Sequence, residues 1–297
     1  MSFTANQNKI TAAFVEQFHD TFEILCQQKE SRLLKTVVNR GKITGNTFTI
    51  NDMGGLEMRD RTRFGNTEWD VPDAGTRRVT LHDFDLAVPV DKGDEHRLLA
   101  SVQGPYMNAC LYAYQRKVDE VIYNALLGEI PRVDSYNGSV TNVALPNTQI
   151  ITTGGNGSIK DIIATAKGIF RANDCDEQDG EKLYITYDSS MLTQILCDPT
   201  LTSGDYMSVK MLQEGHVVNW GGVTWVPYNK LLRSADGSYK RVPMYTGTAV
   251  HYGQGSSYEV DIGKRRDKNN TTQIYVDSSM AAGRANEQKV VEIHLPV

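Results

Sequence analysis

The chain has 297 residues, a formal net charge of -5 at pH 7 and a sequence pI near 5.7. With 40% hydrophobic and 23% charged residues, it can bury a sizeable core in one large or two modest domains. The acidic balance argues against a dedicated nucleic-acid binder, and no apolar run approaches the ~18 residues of a membrane span. Residues 1–10 lack the basic and apolar regions of a signal peptide, so we expect synthesis in the cytoplasm.

The N-terminal part predicts an arm, a helix and then a basic cluster. Residues 1–8 are polar, and from Ile10 to Leu34 apolar residues recur at helical spacing. The apolar stripe consists of Phe14, Phe18, Phe22, Leu25, Cys26 and Leu33. We interpret this stripe as core or subunit contact. The cluster is either a solvated face or a surface that lines enclosed nucleic acid, and it consists of Lys29, Arg32, Lys35, Arg40 and Lys42.

A long hairpin is predicted next. Thr47–Ile50 has the pattern of a strand, and Arg78–Val90 alternates well enough to be its partner. The connecting stretch Asn51–Gly75 is polar, rich in glycine and carries charges of both signs. A structureless loop of this length is uncommon in a compact domain unless it is functional, and an isolated two-stranded ribbon is only marginally stable in water. Both difficulties disappear if neighbouring copies of the chain hold the hairpin.

The segment from Asp91 to Gly128 predicts one long helix. Apolar and small residues recur along one face at steps of three to five, Asp91 and Asp94 can cap its start, and Gly128 can end it. A continuous helix would be about 50 Å long at ~1.5 Å per residue. Gly104 and Pro105 interrupt the pattern, which resumes in phase, so we expect a bend at this point.

The remaining chain predicts a mixed α/β block followed by return strands. After a loop with short strands (129–157), a helix is expected over Ser158–Ala172. Further elements are a buried strand at Leu183–Tyr187, a short helix at Ser189–Leu196, a hairpin over Val217–Val226 turning at Gly221-Gly222, a strand at Pro243–Tyr252 and a charged turn at Lys264–Asn270.

Two segments resemble the major capsid proteins of tailed bacteriophages, which share the Hong Kong 97-type fold. The run RKVDEVIYNALLG (Arg116–Gly128), with Asp91 and DEHRLLA (Asp94–Ala100) upstream, resembles the spine helix of that fold. The run YVDSSMAAGRANEQKVVEI (Tyr275–Ile293) is similar to its closing element, where the last strands return beside the spine. The order of arm, hairpin, spine, insert and return strand matches the family over the whole chain.

The resemblance implies an α+β fold of four parts. These are an N-terminal arm and helix (1–42), an extended hairpin loop (43–90), a peripheral domain with the spine helix (91–130 and 262–297) and a mixed α/β axial domain (131–261). The hairpin would lie across the adjacent subunit. Its candidates for subunit contact are Arg59, Arg61, Arg63, Trp69, Asp70, Asp73, Arg77 and Arg78.

The function implied is that of the major capsid protein of a tailed double-stranded DNA phage. Copies would pack as hexamers and pentamers into an icosahedral shell that encloses the genome, after assembly in the host cytoplasm. The implied partners are other copies, a portal and a separate scaffolding protein. Some relatives carry a long N-terminal extension in place of that scaffold, whereas here the helical pattern begins near Ile10.

Covalent links between subunits are not expected. In the type member of the fold, a lysine on the hairpin forms an isopeptide bond with an asparagine of a neighbour. No lysine occurs between Lys42 and Lys92 in this chain.

No pattern predicts catalysis, a cofactor or a metal. The acidic run Asn173–Gly180 does not place acids and glycine as a calcium loop requires, and Thr152–Ser158 lacks the lysine of a phosphate loop. The histidines have no metal-ligand spacing, and the four separated cysteines suggest free buried thiols in a reducing compartment.

Two alternatives stay open at this stage. An encapsulin-type nanocompartment resembles the same fold and encloses cargo protein, and neighbouring genes would distinguish it from a phage. A soluble enzyme with a site in block 131–261 would form only a small oligomer, which size-exclusion chromatography would detect.

Overall fold

A computed structural model describes residues 27–61, 63–67, 69–90, 103–152, 158–197 and 219–296, which form a mixed α+β structure. The helices are α1 (Gln103–Leu127), α2 (Ile159–Ala172) and α3 (Ser189–Cys197). The strands are β1 (Val38–Lys42), β2 (Thr47–Met53), β3 (Ala74–Thr80), β4 (His82–Val90), β5 (Ile130–Asp134), β6 (Val140–Val143), β7 (Ile150–Thr152), β8 (Leu183–Tyr187), β9 (Asn219–Trp220), β10 (Val223–Pro227), β11 (Tyr239–Thr246), β12 (Val250–Arg265), β13 (Thr271–Arg284) and β14 (Val290–Pro296).

These strands form three sheets. The first has the order β1-β12-β13-β4, the second β7-β14-β11-β8-β10-β9 and the third β2-β3-β5-β6. In the second sheet, β11 runs antiparallel to β14 and β8, while β10 is parallel to β8 and β7 is parallel to β14. Short 3-10 turns lie at Leu34–Thr36, Asn147–Gln149, Glu177–Asp179 and Glu287–Lys289.

The chain divides into two compact units. The first contains the described residues among 27–30, 84–116 and 258–277, and the second contains the other described residues. In the first unit, Cys110 of α1 packs with Ile274 and Val276 of β13. Tyr258 joins this small core, where its ring lies 5.4 Å from that of Tyr114. The four-part division implied by the resemblance follows other boundaries and stays a prediction.

The main core of the second unit lies between α2, α3 and the six-stranded sheet. α2 buries residues at helical spacing because its apolar face covers the sheet. This face consists of Ile159, Ile162, Ile163, Ala166 and Phe170. The sheet contributes Leu183 and Ile185 of β8, Val242 and Met244 of β11, and Val291 and Ile293 of β14.

A buried arginine holds the C-terminal end of α1. The last carbonyl groups of a helix have no partner within the helix, and they carry a partial negative charge. Arg284 at the end of β13 is fully buried, and its Nη1 donates to the carbonyl oxygens of Leu126 (3.0 Å) and Gly128 (2.8 Å). Its Nη2 donates to the carbonyl oxygen of Val143 at 3.0 Å. One cation therefore satisfies three backbone acceptors and opposes the helix dipole.

A buried aspartate on α1 holds the segment before β1. Asp119 is fully buried, and its carboxylate accepts hydrogen bonds from the Ser31 hydroxyl (2.5 Å) and from the backbone N–H groups of Arg32 (3.1 Å) and Leu33 (3.0 Å). Several donors to one carboxylate offset the cost of burying its charge. The segment preceding β1 is thereby fixed to the second half of α1.

Several sequence predictions agree with the described elements. The strand at Thr47–Ile50, the helix over Ser158–Ala172, the strand at Leu183–Tyr187 and the short helix after Ser189 are all present. The described part of the Val217–Val226 hairpin turns at Gly221 and Gly222, where both φ angles are positive. α1 ends at Leu127 as expected, although Gly128 is not left-handed. A Cβ at Gly128 would instead lie 2.8 Å from the carbonyl oxygen of Asn124.

Other predictions were wrong. Residues 27–33 are not helical, because Asp119 binds the backbone N–H groups of this segment in an irregular turn. The expected strand Arg78–Val90 divides at Leu81 into β3 and β4, which belong to different sheets. The expected strand Pro243–Tyr252 contains a turn between β11 and β12 at 247–249. Cys197 is exposed, whereas Cys110 and Cys175 are buried as predicted.

Some expectations fall on residues outside those described. They include the helix over residues 10–26, the start of the long helix at Asp91 and Asp94, and most of the glycine-rich segment 153–157. Pro105 is the third residue of α1 as described. The bend at Gly104 and Pro105 stays a prediction.

Replacing Arg284 with methionine is expected to destabilise the subunit strongly. The variant keeps most of the side-chain volume but leaves the carbonyl groups of Leu126, Gly128 and Val143 without their donor. Breaking a buried charge network by removing one member costs about 3–5 kcal/mol, which urea unfolding of the full-length chain would detect. The matched control is Arg265→Met, which removes an exposed guanidinium paired with Asp267 and should leave the urea midpoint unchanged. Equal midpoints for the two variants would contradict this role of Arg284.

Candidate functional site

The hairpin of β2 and β3 is a regular antiparallel ribbon that carries a long irregular loop. Its ladder runs from Thr47 opposite Thr80 to Met53 opposite Ala74. One further hydrogen bond, from Gly54 N–H to the carbonyl oxygen of Asp73 (2.6 Å), closes the ribbon. The residues between Gly54 and Asp73 that the structure describes form no strand or helix. The loop therefore has no sheet of its own against which to pack.

This loop exposes an unusual number of large apolar side chains. Of the twelve large apolar residues that are exposed in the described part of the chain, six lie between positions 53 and 71. Contiguous exposed apolar surface is uncommon on a protein that works alone, and it commonly marks a binding surface. The six are Met53 (73% exposed), Leu56 (58%), Met58 (103%), Phe64 (93%), Trp69 (88%) and Val71 (78%).

Charged side chains alternate with these apolar residues. Arg59 lies 3.4 Å from Asp70, and both side chains are about half exposed. The guanidinium carbon of Arg63 lies 5.3 Å from the centre of the Phe64 ring. Arg61 and Arg63 are exposed and have no carboxylate within ion-pair distance among the described residues. The hairpin loop therefore offers both apolar groups and cations to another surface.

The root of the hairpin is held by a network of arginines and carboxylates. Arg77 of β3 is buried, and its guanidinium donates to both oxygens of Glu287, with an Nη2 to Oε2 distance of 2.8 Å. Its Nε also donates to Asp52 Oδ2 at 3.1 Å. Arg132 of β5 donates from Nε to the same oxygen at 2.9 Å and from Nη2 to Asp73 at 3.0 Å. We call these five residues the root network.

Electrostatics keep the centre of the root network charged. Burial would raise the pKa of Glu287, but the hydrogen bond and charge of Arg77 outweigh burial and lower it. Burial would likewise lower the pKa of Arg77, but the hydrogen bonds and charges of Glu287 and Asp52 raise it. Arg284 lies 3.4 Å from Glu287, so the network extends to the residue that holds the end of α1. The root of the hairpin is therefore anchored within its own subunit.

A glycine lies against the root network. A Cβ at Gly75 would lie 2.5 Å from Arg132 Nε and 2.7 Å from Asp52 Oδ1, so a larger residue would have to displace the ends of these two side chains. A cleft of about 350 Å³ lies beside it, lined by residues that include Asp52, Asp73, Arg132 and Glu287. Sequence analysis missed this arrangement, although a glycine inside a strand often marks such a close approach.

The structure separates the predicted contact residues into two groups. Arg59, Arg61, Arg63, Trp69, Asp70 and Arg78 are exposed on the hairpin. Asp73 is exposed but accepts a hydrogen bond from Arg132 of its own chain. The expectation that Arg77 contacts a neighbouring subunit is corrected. Its side chain is only 5% exposed, and its N–H groups donate to Glu287 and Asp52 of the same chain. We therefore remove Arg77 from the contact set.

Three further cations pair with carboxylates of the same chain. Arg241 binds buried Glu292, Lys240 binds Asp188 at 2.6 Å, and Lys289 binds Glu181 at 2.8 Å. Burial raises the pKa of the thiols of Cys110 and Cys175, which makes them poor nucleophiles.

The described residues were also searched for a metal site and for a membrane-spanning helix. Within them, no three His, Cys, Asp or Glu side chains come together as a metal site would require. None of the described helices has the length and hydropathy needed to cross a membrane.

Comparison with solved structures identifies the fold. The chain is similar to a chain in the capsid structure of cyanophage P-SCSP1u, with a TM-score of 0.70, 14% identity and coverage of 96% of this chain and 94% of that chain. It is also similar to the chain of Mycobacterium phage Che8, with a TM-score of 0.70, 16% identity and coverage of 94% and 96%. The capsid of a native GTA particle matches with a TM-score of 0.69, 9% identity and full coverage of both chains. The predicted α+β fold of the Hong Kong 97 type is confirmed.

The family is identified from the sequence. A search of curated proteins finds no match. The family model described as phage capsid protein matches residues 10–297, which is nearly the whole chain. Neither the encapsulin alternative nor the enzyme alternative gains support from these comparisons. The chain belongs to the phage capsid protein family, as the resemblance in its spine and closing segments predicted.

Proposed function

We propose that this capsid protein builds the icosahedral shell of a tailed phage as hexamers and pentamers around double-stranded DNA. Membership of the capsid family supports a structural role in a multimeric shell. The observation that carries the finer proposal is the hairpin loop, whose exposed apolar side chains require a covering surface. That surface belongs to an adjacent copy of the same chain.

The apolar residues of the loop are suited to such a contact. Interface energy concentrates in a few large side chains, with tryptophan and arginine strongly represented. Trp69, Phe64 and Met58 are almost fully exposed, and Arg61 and Arg63 stand beside them. Burying an exposed side chain of this size contributes about 1.5–3 kcal/mol. Repetition around a closed shell multiplies this contribution.

The root network presents the loop in a defined direction. An isolated ribbon would sample many orientations, and ordering it on binding would cost entropy. Here Arg77 fixes β3 to Glu287, and Arg132 fixes the base of the loop to Asp52 and Asp73. A ribbon that is anchored before assembly loses less freedom when a neighbour covers its loop.

Other parts of the proposal rest on the family resemblance. The axial block 131–261 would surround the capsomer centre, and α1 would form the spine along the capsomer edge. A bend at Gly104 and Pro105 would adjust the spine between assembly states. A portal, a separate scaffolding protein and host-cell assembly complete the proposal.

Replacing Gly55–Pro72 by Asn-Gly is expected to abolish shell formation without unfolding the subunit. Asn-Gly suits a two-residue turn, so β2 and β3 can still pair as far as Gly54 and Asp73. The root network also stays intact, so we expect a cooperative urea transition like that of the unaltered chain. Electron microscopy of purified protein should show no shells. Shells of normal size would refute the proposed role of the loop.

A paired set of point variants separates the apolar contact from the length of the loop. Phe64→Ser with Trp69→Ser removes two exposed apolar groups from the loop, and we expect few or no shells. The control, Tyr136→Ser with Val140→Ser, removes two exposed apolar groups from the β5–β6 region (95% and 62% exposed). It should assemble normally. Equal loss of assembly in both would argue against a contact specific to the hairpin.

Particles are expected to dissociate completely in hot detergent. The sequence has no lysine between Lys42 and Lys92, so the hairpin has no amine for an isopeptide bond. Its arginines remain charged and are poor nucleophiles, but they pair well with carboxylates. Boiling particles with detergent and reductant should give one gel band near 33.1 kDa. A ladder of larger species linked through hairpin peptides would contradict this prediction.

A further inference from the structure

One segment of this acidic protein carries only positive charge. Between Glu30 and Asp52 the sequence contains no acidic residue, although the whole chain has a net charge of -5. The segment contains four cations, all with exposed side chains: one precedes the 3-10 turn Leu34–Thr36, one lies within it and two lie on β1. We call this set the basic edge, and it consists of Arg32, Lys35, Arg40 and Lys42.

Arg32 and Arg40 of the basic edge differ from the arginines of this chain that pair with carboxylates. Seven described arginines, at positions 59, 77, 132, 171, 241, 265 and 284, each lie within ion-pair distance of a carboxylate. Arg32 instead donates to the carbonyl oxygen of Pro227 at 3.0 Å, and Arg40 donates from Nε to His251 Nδ1 at 2.9 Å. Within the described residues, no carboxylate pairs with Arg32, Arg40 or Lys42. Their charge is available to an outside partner.

The backbone of β1 lies at the edge of its sheet and is irregular at its end. β1 is an edge strand, and three steps along it from Asn39 to Lys42 match only two steps along β12 from Tyr252 to Gln254. The extra residue makes a bulge at Gly41, whose φ of +71° is left-handed. Apart from the two adjacent residues, no atom of the described residues lies within 4 Å of the position that a Cβ of Gly41 would take. Among the described residues, nothing beyond the adjacent residues covers β1 at Gly41, between Arg40 and Lys42.

Among the described residues, the Nη1–Nη2 edge of the Arg40 guanidinium has no hydrogen-bond partner. Burial and the charges of Arg40 and Lys289 lower the pKa of His251, so the ring is neutral and its Nδ1 can accept from Arg40 Nε. No described group accepts a hydrogen bond from the two Nη atoms of Arg40. A guanidinium with both Nη groups available can bind a phosphate in a bidentate manner.

The chemistry of the basic edge suits phosphate better than protein. Protein interfaces need buried apolar groups at their centre. Residues 39–42 present asparagine, arginine, glycine and lysine, and no exposed large apolar residue lies in the segment between 31 and 51. Cations without apolar neighbours make contacts to phosphate that do not depend on base sequence.

We propose that the basic edge faces the interior of the shell and contacts the phosphate backbone of the enclosed double-stranded DNA. This inference rests on the proposed function, because it requires a shell that holds DNA. Four contacts in each copy give weak binding that is distributed over many copies. The rest of the acidic subunit repels the same polyanion, so the shell holds DNA without binding it tightly.

The test compares two double variants of the full-length subunit that each lose two exposed cations. Arg40→Gln with Lys42→Gln removes half of the basic edge, while Arg266→Gln with Lys268→Gln removes two exposed cations from the turn between β12 and β13. Fluorescence anisotropy measures binding to a labelled DNA duplex between 50 and 200 mM salt. The slope of log K against log salt should be about -3.6 for the unaltered chain, from about -0.9 for each of four contacts.

The two variants should differ in the salt dependence of their DNA binding. We expect a slope of about -1.8 for the basic-edge variant and an unchanged slope for the turn variant. Equal weakening by both variants, or weakening by neither, would overturn the assignment. Electron microscopy of the same proteins tests the proposed function separately, since normal shells with unchanged DNA binding would refute only the basic edge.

A second measurement places the contact inside the particle. Formaldehyde links lysine amines to nearby DNA, so peptides that contain Lys35 or Lys42 should be recovered on DNA from filled particles. Peptides that contain Lys268 should not be recovered. If Lys35 and Lys42 are instead linked to another protein, the basic edge binds an acidic protein and the DNA assignment is wrong.

Discussion

The described structure of the second unit depends on one buried arginine, Arg284, at the place where α1, β6 and β13 end. Arg284 satisfies the carbonyl groups at the end of α1, and Glu287 joins it to Arg77 in the hairpin. Well-packed apolar residues can often replace a complete buried ion network without loss of stability, whereas removal of one member is costly. The network therefore sets the geometry more than it adds stability. It connects the end of α1, the end of β13 and the root of the hairpin, and thereby fixes their relative positions.

The same network also explains why the root and the loop of the hairpin differ. Charged residues near the root are paired inside the subunit, whereas the loop beyond Gly54 has few internal partners and exposes its apolar side chains. A ribbon with a fixed base and an uncovered loop is marginal by itself but well suited to contact with another molecule. The same sequence that would be a liability in a monomer is useful in a protein that assembles.

Local patterns were sufficient to predict much of the fold. The periodicity of α2, the apolar run of β8 and the paired glycines before β10 all reflect interactions between near neighbours in sequence. The roles of Arg284, Asp119 and Arg77 depend on partners up to 210 residues away. From the sequence alone, each of these three residues would be interpreted as an ordinary charged residue on the surface. The boundary between β3 and β4 was missed because alternation continues through Leu81 while the strand changes sheets.

The distribution of tryptophan has a practical consequence. The chain has three tryptophans: Trp69 is 88% exposed on the hairpin loop, Trp225 is buried, and Trp220 packs with it at a ring distance of 6.0 Å. Covering the hairpin would change the surroundings of Trp69 alone, while the other two indoles keep theirs. The emission spectrum of the unlabelled protein would then shift to shorter wavelength as subunits join. The protein thus carries an intrinsic optical reporter at the surface where contact between copies is proposed.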